Sequence, residues 1–412
     1  MQNTPLLESS RTVIGGLQQE DGGITATPRD DVYPYVYPRD AVFMTKALNA
    51  FGEFERSKRF YGYLSRVRRP RGEFYQRYNG GMPYVTNAHE LDATPIVIQG
   101  IYDTYRRSRD RPFLESMWEL VRECASFTSS SLIVDAGLLY TTNSIHENRH
   151  LEEGFEIWAN SAAVRGLLDA SRIAGELGQR DLEDRWLTSS KRLLASMVGK
   201  LYDDESGVFI KVLRDSGEKV RAPDVSQLAP FYFGIYHDDA VLARTLDRLE
   251  GALWNKTIGG FNRFRDFEIV SDWHWYTGGA GASWPLFTLW AAGFYRDLGI
   301  KEGVDACLAF LDSTVTEDLL IPEKVAPLER YREWNANELE FGDRILNGVR
   351  KIEGDAHKVK APGCVSWACP LGWAHAEYVL FEVGERPREY ELLQEAVPSV
   401  ARRMRADSPG RS

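Results

Sequence analysis

The feature that most constrains this chain is the way its helices are joined. Apolar residues recur at i, i+3, i+4 and i+7 along most of the sequence, which predicts about twelve amphipathic helices. They fall at about Pro5–Gln19, Pro38–Phe51, Phe54–Val67, Leu91–Arg107, Arg111–Leu132, Ile157–Leu177, Asp181–Leu201, Val225–Ile235, Asp239–Leu253, Ala282–Leu298, Glu302–Val315 and Gly372–Val383, with a last one near Arg388–Met404. Their connections alternate. The chain turns within a few residues at Gly52, Ser108–Asp110, Gly178–Arg180, Tyr236–Asp238 and Gly299–Lys301. It wanders for about 20 residues or more over 20–37, 68–90, 133–156, 202–224, 254–281 and 316–371. Short turns make neighbouring helices antiparallel. If the helices run alternately up and down, every long loop emerges on the same face. The expected fold is therefore all-α, an (α/α)6 toroid of six helical hairpins with six long loops gathered at one end.

Strand-like runs are scarce, and Val208–Leu213 is the best of them. No low-complexity linker divides the sequence, so a single catalytic domain over 1–412 is expected, with a charged excursion at about 328–361 that carries a short helix at Glu338–Val349. A 43% hydrophobic fraction supplies the core. No apolar run approaches the ~18 residues of a membrane span, and the first twenty residues lack the pattern of a secretory signal. Four cysteines without a CxxC pair suit free thiols in a reducing cytoplasm. A net charge of −10 argues against nucleic acid as a partner. Neither a nucleotide loop, nor HExxH, nor GxSxG is present, so no metal, cofactor or serine nucleophile is expected. Of eleven Trp, all but Trp118, Trp186 and Trp290 lie in the long loops or near the starts of the helices that follow them. That placement predicts an aromatic-lined cavity on the loop face, suited to flat apolar surfaces such as those of sugar rings.

The polar residues of these loops point the same way. The first long loop ends in Tyr35-Val36-Tyr37-Pro38-Arg39-Asp40, where Pro38 suits a first helical turn and Asp40 meets the helix N-terminus. Arg39 and Asp40 could bind sugar hydroxyls, or simply pair with each other. Asp92, in His89-Glu90-Leu91-Asp92, opens another helix and carries the same two readings. The third loop is dense in carboxylates: Glu147, then Glu152, Glu153 and Glu156. The sixth holds Glu323, after Pro322 and within an apolar segment where burial would raise its pKa. Two carboxyls on one face, one a proton donor and one a base or nucleophile, are what glycoside hydrolysis requires.

Several motifs, in order, resemble those of the glucoamylase family, inverting exo-acting α-glucoside hydrolases on an (α/α)6 barrel. They are YPYVYPRDAVF (Tyr33–Phe43), HELDATPIVI, GGFNRFRDF (Gly259–Phe267), SWPLFTLWAAGFY (Ser283–Tyr295), IPEKV and PLGWAHAEYV (Pro370–Val379). The resemblance runs from about Ile14 to Glu382. It implies Glu323 as the general base that activates water and Glu147 as the general acid. It also implies that Arg39 and Asp40 hold the terminal glucose and that Arg263, rather than Arg265, contacts the same or the next sugar. Tyr37, Asp92 and Trp275 complete the expected substrate-binding set. Two departures stand out: His146 precedes Glu147 where a Trp is usual, and Lys324 replaces a common Gln beside the base. The acidic run after Glu147 keeps Glu152, Glu153 and Glu156 open as the acid. The expected substrate is an α-glucan or α-gluco-oligosaccharide. A trehalase or α-1,6-glucosidase on the same scaffold is the nearest rival, and a catalytically inactive sugar-binding or regulatory protein is a further one. A phosphorylase would lack a base such as Glu323.

Overall fold

The computed structural model describes residues 4–31, 33–84, 90–147, 149–264, 282–329, 359–384 and Leu393. Its inner helices are α2 (Pro38–Ala50), α4 (Ala93–Ser108), α8 (Ile157–Glu176), α10 (Ala229–Tyr232), α12 (Pro285–Asp297) and α14 (Gly372–Val383). Each packs on the next, and α14 packs back on α2, closing a ring. Between α10 and α12 the joint is made by Tyr232 and Trp290, with ring centroids 4.4 Å apart. The outer layer is α1 (Pro5–Gly16), α3 (Phe54–Val67), the pair α5 (Arg111–Ser116) and α6 (Trp118–Ser130), α9 (Arg180–Leu201), α11 (Asp239–Leu253) and α13 (Lys301–Thr314). The expected (α/α)6 toroid is the observed architecture.

The inner helices are buried on nearly all sides, so they carry small residues where backbones meet. At Gly166 of α8 an added Cβ would lie 2.5 Å from the Cβ of Pro95 in α4. Only glycine allows that approach. Aromatic side chains fill the axis: Trp158 stacks on Trp290 at 5.2 Å and Phe43 on Trp373 at 4.8 Å.

The long loops are stapled by short antiparallel pairs: β1 (Tyr78–Asn79) with β2 (Met82–Pro83), β3 (Leu132–Ile133) with β4 (Leu138–Leu139), and β6 (Tyr202–Asp203) with β7 (Val208–Phe209). A small sheet joins β5 (Phe155–Glu156), β8 (Val212–Leu213) and β9 (Lys219–Val220). The sixth loop pairs β10 (Lys324–Pro327) with β11 (Cys364–Trp367). All six loops interlock at one end. Val36 pairs with Tyr78, Asp224 with Phe264 and with His146, Arg263 with the carbonyl of Ile145, and Trp367 with Tyr33.

Three local expectations are corrected. The helix expected over Arg111–Leu132 divides at Met117, where ψ opens to −3°; Phe113 packs on Tyr61 and Trp118 on Trp186, so the two halves face different partners. The helix expected over Val225–Ile235 is a 3₁₀ turn, Val225–Leu228, capped by Asp224, followed by the single turn α10, and Gly234 at φ +63° ends it. The strand at Val208–Leu213 is two strands that pair with different partners, with Ile210 and Lys211 between. The helices expected at Glu338–Val349 and Arg388–Met404, most of the 328–361 excursion, Arg265 and Trp275 lie outside the described residues. Among the described residues no helix is long and apolar enough to cross a membrane.

Candidate active site

The loop face holds a cleft lined by residues including Tyr37, Arg39, Asp40, Glu147, Arg263 and Glu323. The expected site residues among these reach it from four places in the sequence. Extended backbone at Tyr37 and Pro38 in the first turn of α2 bring Arg39 and Asp40 to the inner rim. Asp40 has one carboxylate oxygen with no hydrogen-bond partner, and burial pushes it up to about 7. Tyr37 accepts a hydrogen bond of 2.6 Å from Arg77.

Arg39 is the hub. Its Nη1 donates to Asp92 and to the carbonyl of Ser144, both at 3.1 Å, and Nη2 donates to Glu147 at 2.9 Å. Glu90 lies 3.3 Å from Nη1. Burial opposes the guanidinium charge, and the carboxylates of Glu90, Asp92, Glu147 and Asp40 sustain it. Asp92, expected to touch substrate, does not line the cleft. It is fully buried behind Arg39, and its Oδ2 also accepts from the Trp158 indole at 2.8 Å. Asp92 holds Arg39 rather than a sugar, because its place at the start of α4 points it at the guanidinium and the indole.

The four acidic residues of the third loop separate cleanly. Glu147 faces the cleft from a backbone at φ +55°, a left-handed conformation that costs a non-glycine residue roughly 1–2 kcal/mol. The surrounding hydrogen bonds enforce it. Glu152, fully buried, accepts the backbone N–H groups of Ser144 at 2.8 Å and His146 at 2.6 Å, and burial pushes its carboxyl up to about 7. Glu156 caps α8 through the N–H groups of Trp158 and Ala159 and accepts from the Ser144 hydroxyl at 3.2 Å. Glu153 pairs with Arg149 on the outer surface. Of the four, Glu147 lines the cleft.

Behind it, His146 hydrogen-bonds Asp224 at 2.7 Å, and Lys211 lies 2.6 Å from the other oxygen of Asp224, all three buried. Burial lowers His146 to about 3, so the ring is neutral and donates from Nε2. Burial alone would push Asp224 up, but His146 and Lys211 hold it well below the usual carboxylate range.

Glu323 reaches the same cleft from the sixth loop. Its backbone N–H donates to the carbonyls of Trp367 and Ala368, and the segment before it is pinned by His375, whose Nε2 accepts the Ile321 N–H at 2.9 Å. Burial raises Glu323 above the usual carboxylate range, and its Oε2 has no hydrogen-bond partner. Arg263 donates to the carbonyl of Ile145 and sits 4.9 Å over the ring of Trp284.

The sequence reading did not assign roles to Glu90, Lys211, Asp224 or His375. Two of them leave a trace. Asp224 and Gln227 form the D-x-x-Q pattern of a capping box. Lys211 is a lone charge in an apolar run, which calls for a buried partner.

The family model of the Mannosylglycerate hydrolase MGH1-like glycoside hydrolase domain matches residues 134–259, which include Glu147, Lys211 and Asp224. An uncharacterized glycosyl hydrolase of Methanocaldococcus jannaschii is 26% identical over 286 residues, 68% of this chain and 43% of that protein, so the chain spans less than half of that relative's length. Among solved structures, a bacterial glucoamylase complexed with acarbose superposes with a TM-score of 0.68 at 18% identity, covering 97% of this chain and 57% of that one. A mannosylglycerate hydrolase from Thermus thermophilus, in complex with glucose, gives 0.59 at 13% identity, covering 92% and 100%. Residues 134–259 thus match the model of a glycoside hydrolase domain, and the chain has the six-hairpin fold of the glucoamylase-like structures.

Proposed function

We propose that the chain hydrolyses an α-glucosidic bond at the non-reducing end of an α-glucan or oligosaccharide, with inversion at the anomeric carbon. The observation that carries this reading is the pair Glu147 and Glu323, brought from distant loops to one cleft whose other polar groups include Asp40, one of whose carboxylate oxygens accepts no hydrogen bond and lies 3.6 Å from Arg39 Nε. Glu323 takes a proton from water as that water attacks, and Glu147 protonates the departing glycosidic oxygen. Asp40 accepts from hydroxyls of the terminal sugar. Arg39 sets the position of Glu147 and contributes its own edge to the floor.

A second reading rests on one observation. Besides Arg39, which is taken up by Asp92 and Glu147, two cations, Arg263 and Lys324, line the same cleft. They suit an aglycone that carries a carboxylate, as in mannosylglycerate, the compound named in the description of the matched domain. Product analysis separates the two. The chain is incubated with maltose, maltotriose, isomaltose, trehalose, glucosylglycerate and mannosylglycerate, and the anomer released is followed by NMR. Release of β-glucose from the neutral glucosides supports the first reading. Turnover confined to the glycerates selects the second, and initial release of α-glucose from maltotriose, or of an α-hexose from a glycerate, removes inversion.

A further inference from the structure

The base does not sit alone in its wall. Lys324 follows Glu323 directly, and the bend before β10 turns both side chains into the cleft. Lys324 is itself buried, 4% exposed, with its Nζ 3.8 Å from Glu323 Oε2. Two indoles grip the ammonium: Nζ is 5.2 Å from the ring centroid of Trp284 and 5.0 Å from that of Trp367. Both indoles are fixed by backbone pairing. Trp367 stands opposite Lys324 in the β10–β11 register, and Ser283, beside Trp284, exchanges two hydrogen bonds with Val325. A lysine held this way keeps its charge next to the carboxylate without depending on water, because the aromatic faces offset part of its desolvation.

We propose that Lys324 is an electrostatic positioning residue for the base: its ammonium, clamped between two indoles, keeps the Glu323 carboxylate charged in a cleft crowded with other carboxylates. The charged groups facing Glu323 come from several elements: Lys324 from β10, Arg263 from the loop after α11, Glu147 from the loop before α7 (Arg149–Glu152), Asp31 from the loop after α1, and Asp40 from α2. Burial and the three carboxylates disfavour a second negative charge. Of the two cations, Lys324 offsets them more than Arg263 does. The role rests on Glu323 being the base, as proposed above.

The sign of the test follows. Without the ammonium the neutral carboxyl is favoured, so Glu323 needs a higher pH to act as base. In Lys324→Gln and Lys324→Met the acidic limb of kcat/KM should move up by on the order of one pH unit. Below that limb the rate should fall about tenfold, while the plateau above it changes much less. Lys324→Arg should hold the limb in place. The measurement that needs no substrate is the carboxyl titration of Glu323 by NMR in protein labelled at the Glu side-chain carbon, assigned by the signal missing from Glu323→Gln. That titration should move up in the Gln and Met variants by the same amount as the limb. An unmoved titration in both variants overturns the proposal, as does a rate lowered equally at every pH. If wild-type protein hydrolyses no glycoside, the proposed function falls, while the titration still decides what Lys324 does. Met, close to Lys in volume, guards against a variant that merely loses packing between the indoles.

Discussion

Glu147 and Glu323, the proposed acid and base of the cleft, are held by opposite means. Glu147 sits in a loop whose shape is written in buried polar side chains. Glu152 and Glu156 take up the surrounding N–H and hydroxyl groups, Arg39 holds the carboxylate, and the His146–Asp224–Lys211 chain braces the residue before it. Glu323 is held by backbone. Its N–H, the β10–β11 pair and the His375–Ile321 bond fix the segment, while its own Oε2 accepts no hydrogen bond. The proposed acid is therefore tethered through its side chain, and the proposed base is tethered through its main chain. The proposed inverting mechanism would use this contrast: a base must offer water an oxygen free of hydrogen bonds, whereas an acid needs a fixed direction toward the departing oxygen.

The largest effect that tests this comparison is on turnover. Glu323→Gln should lower kcat by on the order of 10²–10⁴-fold with little loss of sugar binding. Glu147→Gln should fall comparably on maltose and much less on glucosyl fluoride, whose leaving group needs little protonation. Equal losses of Glu147→Gln on both substrates would remove Glu147 as the acid. Retained turnover in Glu323→Gln would remove the base. Next comes the brace behind Glu147. Asp224→Ala removes the carboxylate partner of the buried Lys211 ammonium, which should cost about 3–5 kcal/mol in denaturant unfolding. A loss below about 1 kcal/mol, typical of an exposed pair, would mean that the brace is not what holds the loop.

The same contrast decides what could be read from the sequence. The toroid was legible because it is encoded in loop lengths and helical periodicity, both local properties. Glu323 stood out because its neighbours Ile321, Pro322 and Val325 are apolar. The third loop gave no such contrast: Glu147, Glu152, Glu153 and Glu156 are one residue type within ten positions, and only packing separates a cleft carboxylate from a loop strut, a surface ion pair and a helix cap. Asp92 misled for the same reason. A carboxylate at a helix start facing a cleft and one facing an arginine behind it look alike in sequence. The hairpin β10–β11 was hidden because its strands are separated by the charged excursion, and pairing at that distance leaves no periodic trace.

A smaller effect sharpens the acid side of the comparison. Glu152 offers two acceptor oxygens to two backbone N–H groups, and Glu152→Gln replaces one acceptor by a donor. One buried N–H then faces another, which should cost about 1–3 kcal/mol. Because those N–H groups flank Ile145 and belong to the turn that carries Glu147, kcat should fall more than KM rises. A stability loss with unchanged kcat would show that the left-handed turn at Glu147 holds without this clamp.

The effect on the base side is read from pH. His375 accepts the Ile321 N–H at Nε2 and therefore carries its proton on Nδ1, facing Ser10 at 2.9 Å. Burial lowers it to about 3, against about 6.5 for an unfolded histidine. Between these values the unfolded chain binds the extra proton, so stability is present above about pH 6.5 and declines as pH falls toward 3. A single such proton contributes a slope of up to about 1.4 kcal/mol per pH unit. Other groups titrate in the same window: His146 adds a slope of the same sign, while Asp40 and Glu152, both pushed up to about 7, add one of opposite sign. The test is therefore the difference between parent and His375→Gln, in which these contributions cancel. Urea unfolding at pH 4.5, 5.5 and 6.5 should give a parent whose stability declines more steeply with acid, or rises less, than that of the variant. Parallel pH dependences would mean that His375 is not the titrating link, and the main-chain tether of Glu323 would then rest on the β10–β11 pair and on the N–H of Glu323 itself.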